Sequence, residues 1–170
     1  MSREATNGHG LLVGLEVRLV LRDTLQRDPE DHGDYKPHEK SMAMGRLAAH
    51  VATLPRFLTT ILNTPSLDLA NAKWPPLVFE SRGKLLADFD ALALEARKAL
   101  ADATDAQLEQ PWRMSWGEKV IAEEPRAILC CRLFLNHLIH HRAQLGVYLR
   151  LNGHPVPALY GPSADDTMGF

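Results

Sequence analysis

CCRLFLNHLIHHRAQLGVYLRLNG, residues 130–153, reads as the C-terminal half of a long helix and carries three of the chain's eight histidines. His137 and His141 are four residues apart, so a helix puts them on one face with Cβ atoms about 6 Å apart. That spacing suits two imidazoles meeting one metal ion. The core stripe of this helix runs Cys130, Leu133 or Phe134, His137, His141, Gln144 and Tyr148. A stripe that turns from apolar to His, His, Gln and Tyr is a polar patch on a buried face. Each such group left unpaired costs about 1–3 kcal/mol, so the groups must bond one another or hold a ligand.

Working outward, the helix is expected to start near Pro125, a residue favoured at the first helical position. Gly153 should supply a left-handed cap, and Pro155 forbids continuation. The tail from 154 to 170 is expected to lie extended over the surface. Before the helix, Trp112, Met114 and Trp116 alternate ahead of Gly117. This pattern fits two short extended arms around a turn, or an ordered loop. Thr104 and Gln107 form a capping-box pattern for a short helical turn. Ser81 caps a helix to about Ala103 with a stripe of Leu85, Phe89, Leu92, Ala96 and Leu100. The proline-rich stretch 64–80 is an irregular connection, pinned to the core by Trp74 and Phe79.

Ser41 reads as the N-cap of another helix reaching Asn63, kinked by Pro55, which removes a backbone donor. Its stripe is Leu47, His50, Leu54, Phe57 or Leu58, and Ile61. His50 stands where Leu or Ile is expected. The first helical pattern spans about Gly10 to Arg27, and a polar loop with His32 and His38 follows it. These four helices, with 3.6-residue stripes and little strand pattern, predict an all-α four-helix bundle. One domain is expected over residues 1–170, with its core at about 11–153.

Facing helices of a bundle supply metal ligands from mid-helix positions, which makes His50 the natural third partner of His137 and His141. Three imidazoles favour zinc, nickel, iron or copper over magnesium or calcium. Three protein ligands with one position open is the pattern of a catalytic zinc site. The same histidines could instead satisfy one another by hydrogen bonds. There is no H-E-x-x-H protease motif. His140 is rotated away from the pair, and His9, His32, His38 and His154 are expected in exposed or loose segments.

Composition sets further bounds. Hydrophobic residues make up 45%, charged residues 24%, and the net charge is −2. These values are ordinary for a soluble protein, and no basic cluster favours nucleic acid. The N-terminus has no signal-peptide core, and LLVGLEVRLVL is broken by Glu16 and Arg18, so no membrane span is expected. Cys130 and Cys131 are adjacent and point about 100° apart on a helix, which favours buried free thiols. The cytoplasm is the expected location.

NHLIHHRAQLGVYLRLNGHPVPALYGPSADD, residues 136–166, resembles the C-terminal signature of the DinB/YfiT-like superfamily of metalloenzymes. Its pattern is a histidine, three residues, His-Arg-x-Gln-Leu, then a Gly-x-x-Val-Pro turn. DYKPHEKSMAMGRLAAHVATLP, residues 34–55, resembles the superfamily's other signature. The resemblance covers Leu11 to about Pro162 and concerns a family distinct from the DNA polymerase that shares the name. It implies up-down-down-up topology, a homodimer, and zinc or nickel on His50, His137 and His141. Ala143 stands where the family usually has glycine. Some relatives resemble thiol-dependent transferases, which implies a low-molecular-weight thiol as cosubstrate.

Two functions compete at this level. One is a divalent-metal-dependent enzyme, a thiol-dependent S-transferase or, with less support, a hydrolase. Its candidate substrate-facing groups are Gln144, Tyr148 and Arg142. No carboxylate base falls on the core stripes, apart from Asp88 or Asp90 at an edge. The other is a non-catalytic, dimeric metal-binding protein of the stress response.

Overall fold

The computed structural model describes residues 24–25 and 31–169. The expected first helix therefore lies outside the described residues, except for Thr24 and Leu25, which are helical and buried.

Two helices replace the single kinked one. α1 spans Met44–Thr53 and α2 spans Pro55–Asn63, with Leu54 between them. Pro55 sits in the first turn of α2, where its missing N–H costs nothing. The expected Ser41 cap is also displaced. Ala43 precedes α1 and makes no side-chain cap, while the Ser41 N–H closes a turn on the His38 carbonyl. The opening N–H groups of α1 go to loop carbonyls instead: Met44 to Tyr35, and Gly45 to Gly33, both at 2.9 Å.

That crossing requires glycine at 45. A Cβ there would meet Phe79 Cβ at 2.9 Å and the Gly33 Cα at 3.3 Å. Neither neighbour is the loose end of a side chain, so Gly45→Ala should cost about 1–3 kcal/mol. Urea denaturation checks this; an unchanged midpoint would show that the loop yields freely.

α3 (Arg82–Asp102) begins as expected, with the Ser81 hydroxyl accepting from the Lys84 N–H at 3.2 Å. α4 (Asp105–Glu109) is capped by Thr104, which accepts from the Gln107 N–H. α1 packs on α3, and α2 also packs on α3. Their shared core includes Leu47, Val51, Leu58, Ile61 and Phe89, all at most 1% exposed.

The structure adds a three-stranded sheet to the all-α expectation. β1 (Ser66–Asp68) runs parallel to β2 (Pro111–Trp116), which pairs antiparallel with β3 (Lys119–Pro125). The alternation at 112–116 therefore is a hairpin, turning at Gly117 with φ +56°. Trp112 and Met114 point into the core two residues apart, whereas Trp116 is exposed beyond the register shift between Met114 and Ser115, which breaks the alternation.

Pro125 ends β3, so the helix begins at Arg126, one residue later than expected. α5 (Arg126–Leu129) leads into a π-helical segment, Cys130–Asn136, and then α6 (His137–Leu151). α6 packs on α1, and the π segment packs on α2. The C-terminus matches the expectation: Gly153 takes φ +74°, and the His154 N–H reaches back to the Leu149 carbonyl at 3.0 Å. Residues beyond it carry no helix or strand, but they fold back on themselves. Ser163 donates to the Val156 carbonyl, and Asp165 accepts from the Val156 N–H.

The far end of α2 is capped by Thr64, whose hydroxyl and N–H both donate to the Thr60 carbonyl, and by distant side chains. Gln107 Nε2 donates to the Leu62 carbonyl at 2.6 Å, and Trp112 Nε1 donates to the Thr64 carbonyl at 3.1 Å. Arg126, only 8% exposed, donates Nη1 to the carbonyls of Ile61 and Thr64. A cation at a helix C-terminus meets the negative end of the dipole.

Candidate metal centre

α1 and α6 bring His50, His137 and His141 together. One ring nitrogen from each lies within 4.8 Å of the others, and all three residues are half-buried. The ring centroids form a near-equilateral triangle with sides of 5.0, 4.5 and 4.7 Å. The group comprises three histidines and no carboxylate.

The neighbours decide which nitrogens face inward. His137 Nδ1 lies 3.3 Å from the Leu133 carbonyl, and His141 Nδ1 lies 2.6 Å from Gln144 Oε1. Both oxygens are acceptors only, so each Nδ1 carries the proton and donates. A neutral imidazole so held presents its lone pair at Nε2. His50 Nε2 sits 3.2 Å from His137 Nε2, where it donates when its own proton is on that atom.

The π segment prepares this arrangement. The His137 backbone N–H bonds the Phe134 carbonyl, while its ring takes the Leu133 carbonyl one residue earlier. Such wide turns recur at functional sites.

Protonation is disfavoured at all three rings. Burial holds the His50 pKa down to about 4, with smaller contributions from His141, His137 and Arg46. Burial also lowers His137 and His141, partly offset by their bonds to Leu133 and Gln144. Neutral imidazoles are the form that ligates metal. In a tetrahedral zinc site, metal–nitrogen bonds of about 2.0–2.1 Å place nitrogens about 3.3 Å apart, close to the 3.2 Å between His50 and His137. The residues present thus fit a divalent ion.

For the metal-free protein the same shifts fix a pH dependence. A group with a depressed folded pKa takes its proton more readily when unfolded, so stability is complete above pH 6.5 and falls toward about pH 4. The full displacement of His50 would amount to ~3 kcal/mol, and solvent screening at a half-exposed ring leaves ~1 kcal/mol. Urea midpoints at pH 7 and pH 5 should differ more for metal-free wild type than for His50→Gln. Equal differences would sink this account.

The other sequence candidates separate. Gln144 is exposed rather than on the buried stripe, yet it orients His141. The Tyr148 hydroxyl donates to the Met42 carbonyl at 3.2 Å, and its ring packs edge-on against Tyr35. It thereby fastens the α1 loop. Arg142 is buried, with its guanidinium 4.9 Å over the Tyr160 ring, and it lines a cavity that contains none of the three histidines. Asp88 is tied to Lys84. His140 is exposed, as expected. His154 is half-buried against His32 rather than exposed, with ring centroids 5.3 Å apart. Cys130 is buried, which pushes its pKa up to about 12, whereas Cys131 is exposed instead of buried.

Three contributors went unread in the sequence. Phe57 stands 6.1 Å from the His137 ring and packs on Trp74 at 4.7 Å, giving the site an aromatic flank. Arg46 acts on His50 from one helical turn away, a neighbour that i,i+4 spacing could have revealed. The Leu133 carbonyl had no sequence signal.

A family model described as DinB family matches residues 1–168. An uncharacterized protein, YjoA of Bacillus subtilis (strain 168), is 27% identical over 146 residues, spanning 82% of this chain and 86% of that protein. A crystal structure of a DinB-like protein (YjoA) from Bacillus subtilis is similar with a TM-score of 0.65 at 23% identity, covering 84% of this chain and 90% of that one. A DinB-like protein from Bacillus cereus ATCC 10987 follows at a TM-score of 0.61 and 19% identity, covering 86% and 95%.

Proposed function

This chain belongs to the DinB family, and from that premise we propose that it is a divalent-metal-dependent enzyme acting on a small molecule with a thiol as cosubstrate. The observation that carries this reading is the cluster of His50, His137 and His141, in which His137 and His141 turn their Nε2 lone pairs inward. The donor set favours zinc or nickel. A divalent ion held by His50, His137 and His141 would supply a Lewis acid that lowers the pKa of a water or thiol at its open position.

The chain's own residues support thiolate transfer over hydrolysis. A carboxylate base is absent from the three-histidine group, and transfer of a thiolate needs none. The half-buried position of all three rings supports access by a small molecule, where a structural site is usually closed. Gln144 holds His141 in the ligating tautomer, and Leu133 does the same for His137. Phe57 and Trp74 present an apolar wall beside the site. Arg56, 5.9 Å over the Trp74 ring, places a positive charge at its rim.

In this reading the chain is one domain, a four-helix bundle of up-down-down-up order. It works as a cytoplasmic homodimer. No helix among the described residues is long and apolar enough to cross a membrane.

The test is metal analysis of untagged protein, followed by cobalt substitution. About one divalent ion per chain is expected, and a thiol added to the cobalt form should produce sulfur-to-cobalt charge-transfer absorption. Protein that holds no ion after gentle purification would end the metal reading. A cobalt spectrum indifferent to thiols would end the thiol reading alone.

A further inference from the structure

On the side of α6 served by Arg142, a cavity of about 350 Å³ opens between the helix and the folded-back tail. Its walls are mostly apolar, with Ala143, Gly146, Val147 and Leu151 from the helix and Val156 and Leu159 from the tail, and Thr24 and Arg150 complete the lining. Arg142 reaches this space as a side chain only 4% exposed. Its Nε and Nη1 are buried and have no hydrogen-bond partner among the described residues. The Tyr160 ring lies against the guanidinium.

A guanidinium stays charged in proteins, and a buried charge without an acceptor is costly enough that such groups are normally paired. The other nearby guanidinium is already engaged: Arg150 donates through both terminal nitrogens to Asp165, which also anchors the tail through the Val156 N–H. The cavity therefore combines a guanidinium whose Nε and Nη1 lack an acceptor among the described residues with a mostly apolar lining. Val147 and Leu151, each 57% exposed, leave its mouth open to solvent.

We propose that this cavity binds a small amphipathic carboxylate, its head group on Arg142 and its hydrocarbon part between α6 and the tail. One guanidinium suits a singly charged carboxylate, because the other donor-bearing residues of the lining, Thr24 and Arg150, already have partners; a phosphate would call for more. The volume lies within the range of about 300–1,000 Å³ common to small-molecule sites. The site is separate from the three histidines, and the inference does not rest on their reading.

The test is calorimetric titration of the full chain with octanoate and with its neutral analogue octanamide. One octanoate should bind per chain, and octanamide about 10–100-fold more weakly, the usual worth of a charge-assisted hydrogen bond. Arg142→Met should weaken octanoate to the octanamide level. Because loss of a buried arginine can compromise folding, Gly146→Leu serves as the second variant. Among the described residues a Cβ at 146 meets nothing closer than Val156 Cγ1 at 3.8 Å, so the backbone admits a side chain that fills the cavity. Folded Gly146→Leu protein should lose octanoate binding. Wild-type protein that ignores octanoate, as it would if a carboxylate of its own N-terminal segment engaged Arg142, overturns the proposal. So does equal affinity for the two probes, or binding that survives in folded Gly146→Leu.

Discussion

His50→Ala lowers the affinity for zinc or nickel by about 100–1,000-fold, and as much as His137→Ala does. Zinc-finger sites gain about 10–16 kcal/mol from four ligands, so each ligand is worth roughly 3–4 kcal/mol, or two to three decades in affinity. Equality between the two substitutions is the informative part. His50 comes from α1 and His137 from the start of α6, and their facing Nε2 atoms stand 3.2 Å apart. Gln144→Ala removes only the oxygen that orients His141, so its effect should be smaller, about 10–100-fold. Competition with a chromophoric chelator measures all three. Affinity unchanged in His50→Ala would mean that the third ligand lies elsewhere.

Arg126→Met costs about 3 kcal/mol of folding stability, a large part of the 5–15 kcal/mol typical of a domain. The side chain is nearly buried and gives charge-assisted bonds to the carbonyls of Ile61 and Thr64. Hydrogen bonds involving a charged group contribute about 1.5–3 kcal/mol each, and their loss leaves buried acceptors unpaired. Methionine matches much of the stem, so the loss reports the bonds rather than a void. Arg126→Lys should recover part of the stability, because it restores the charge but not the guanidinium plane. Urea unfolding decides it, and a change below about 1 kcal/mol would show that Gln107 and Trp112 suffice to cap α2.

The parts of this molecule that were legible in the sequence are those governed by local chemistry. Ser81, Thr104 and Gly153 act within three or four residues of themselves, and each ends or begins a helix as read. The His50–His137–His141 cluster was legible because polar residues interrupt two otherwise apolar stripes. What was missed depends on partners far along the chain. Ser41 lost its role as cap because Tyr35 and Gly33 turn their carbonyls onto α1. β1 could not be read from three residues, since it exists only by pairing with β2, Ser66 opposite Arg113. Gln144 and Tyr148 were both placed on the buried stripe; Tyr148 is buried there, whereas Gln144 is exposed and reaches back to His141 instead.

The wide turn at Cys130–Asn136 sets the angular phase of everything after it. Deleting one residue there would let the segment wind tighter and rotate His137 and His141 by about 100° relative to Leu129. Leu129 is wholly buried and holds its place, so the rotation would fall on the histidines and swing them away from His50. The segment is thus a phase adjuster: chain length across seven positions, as much as the identity of any ligand, decides whether three imidazoles converge.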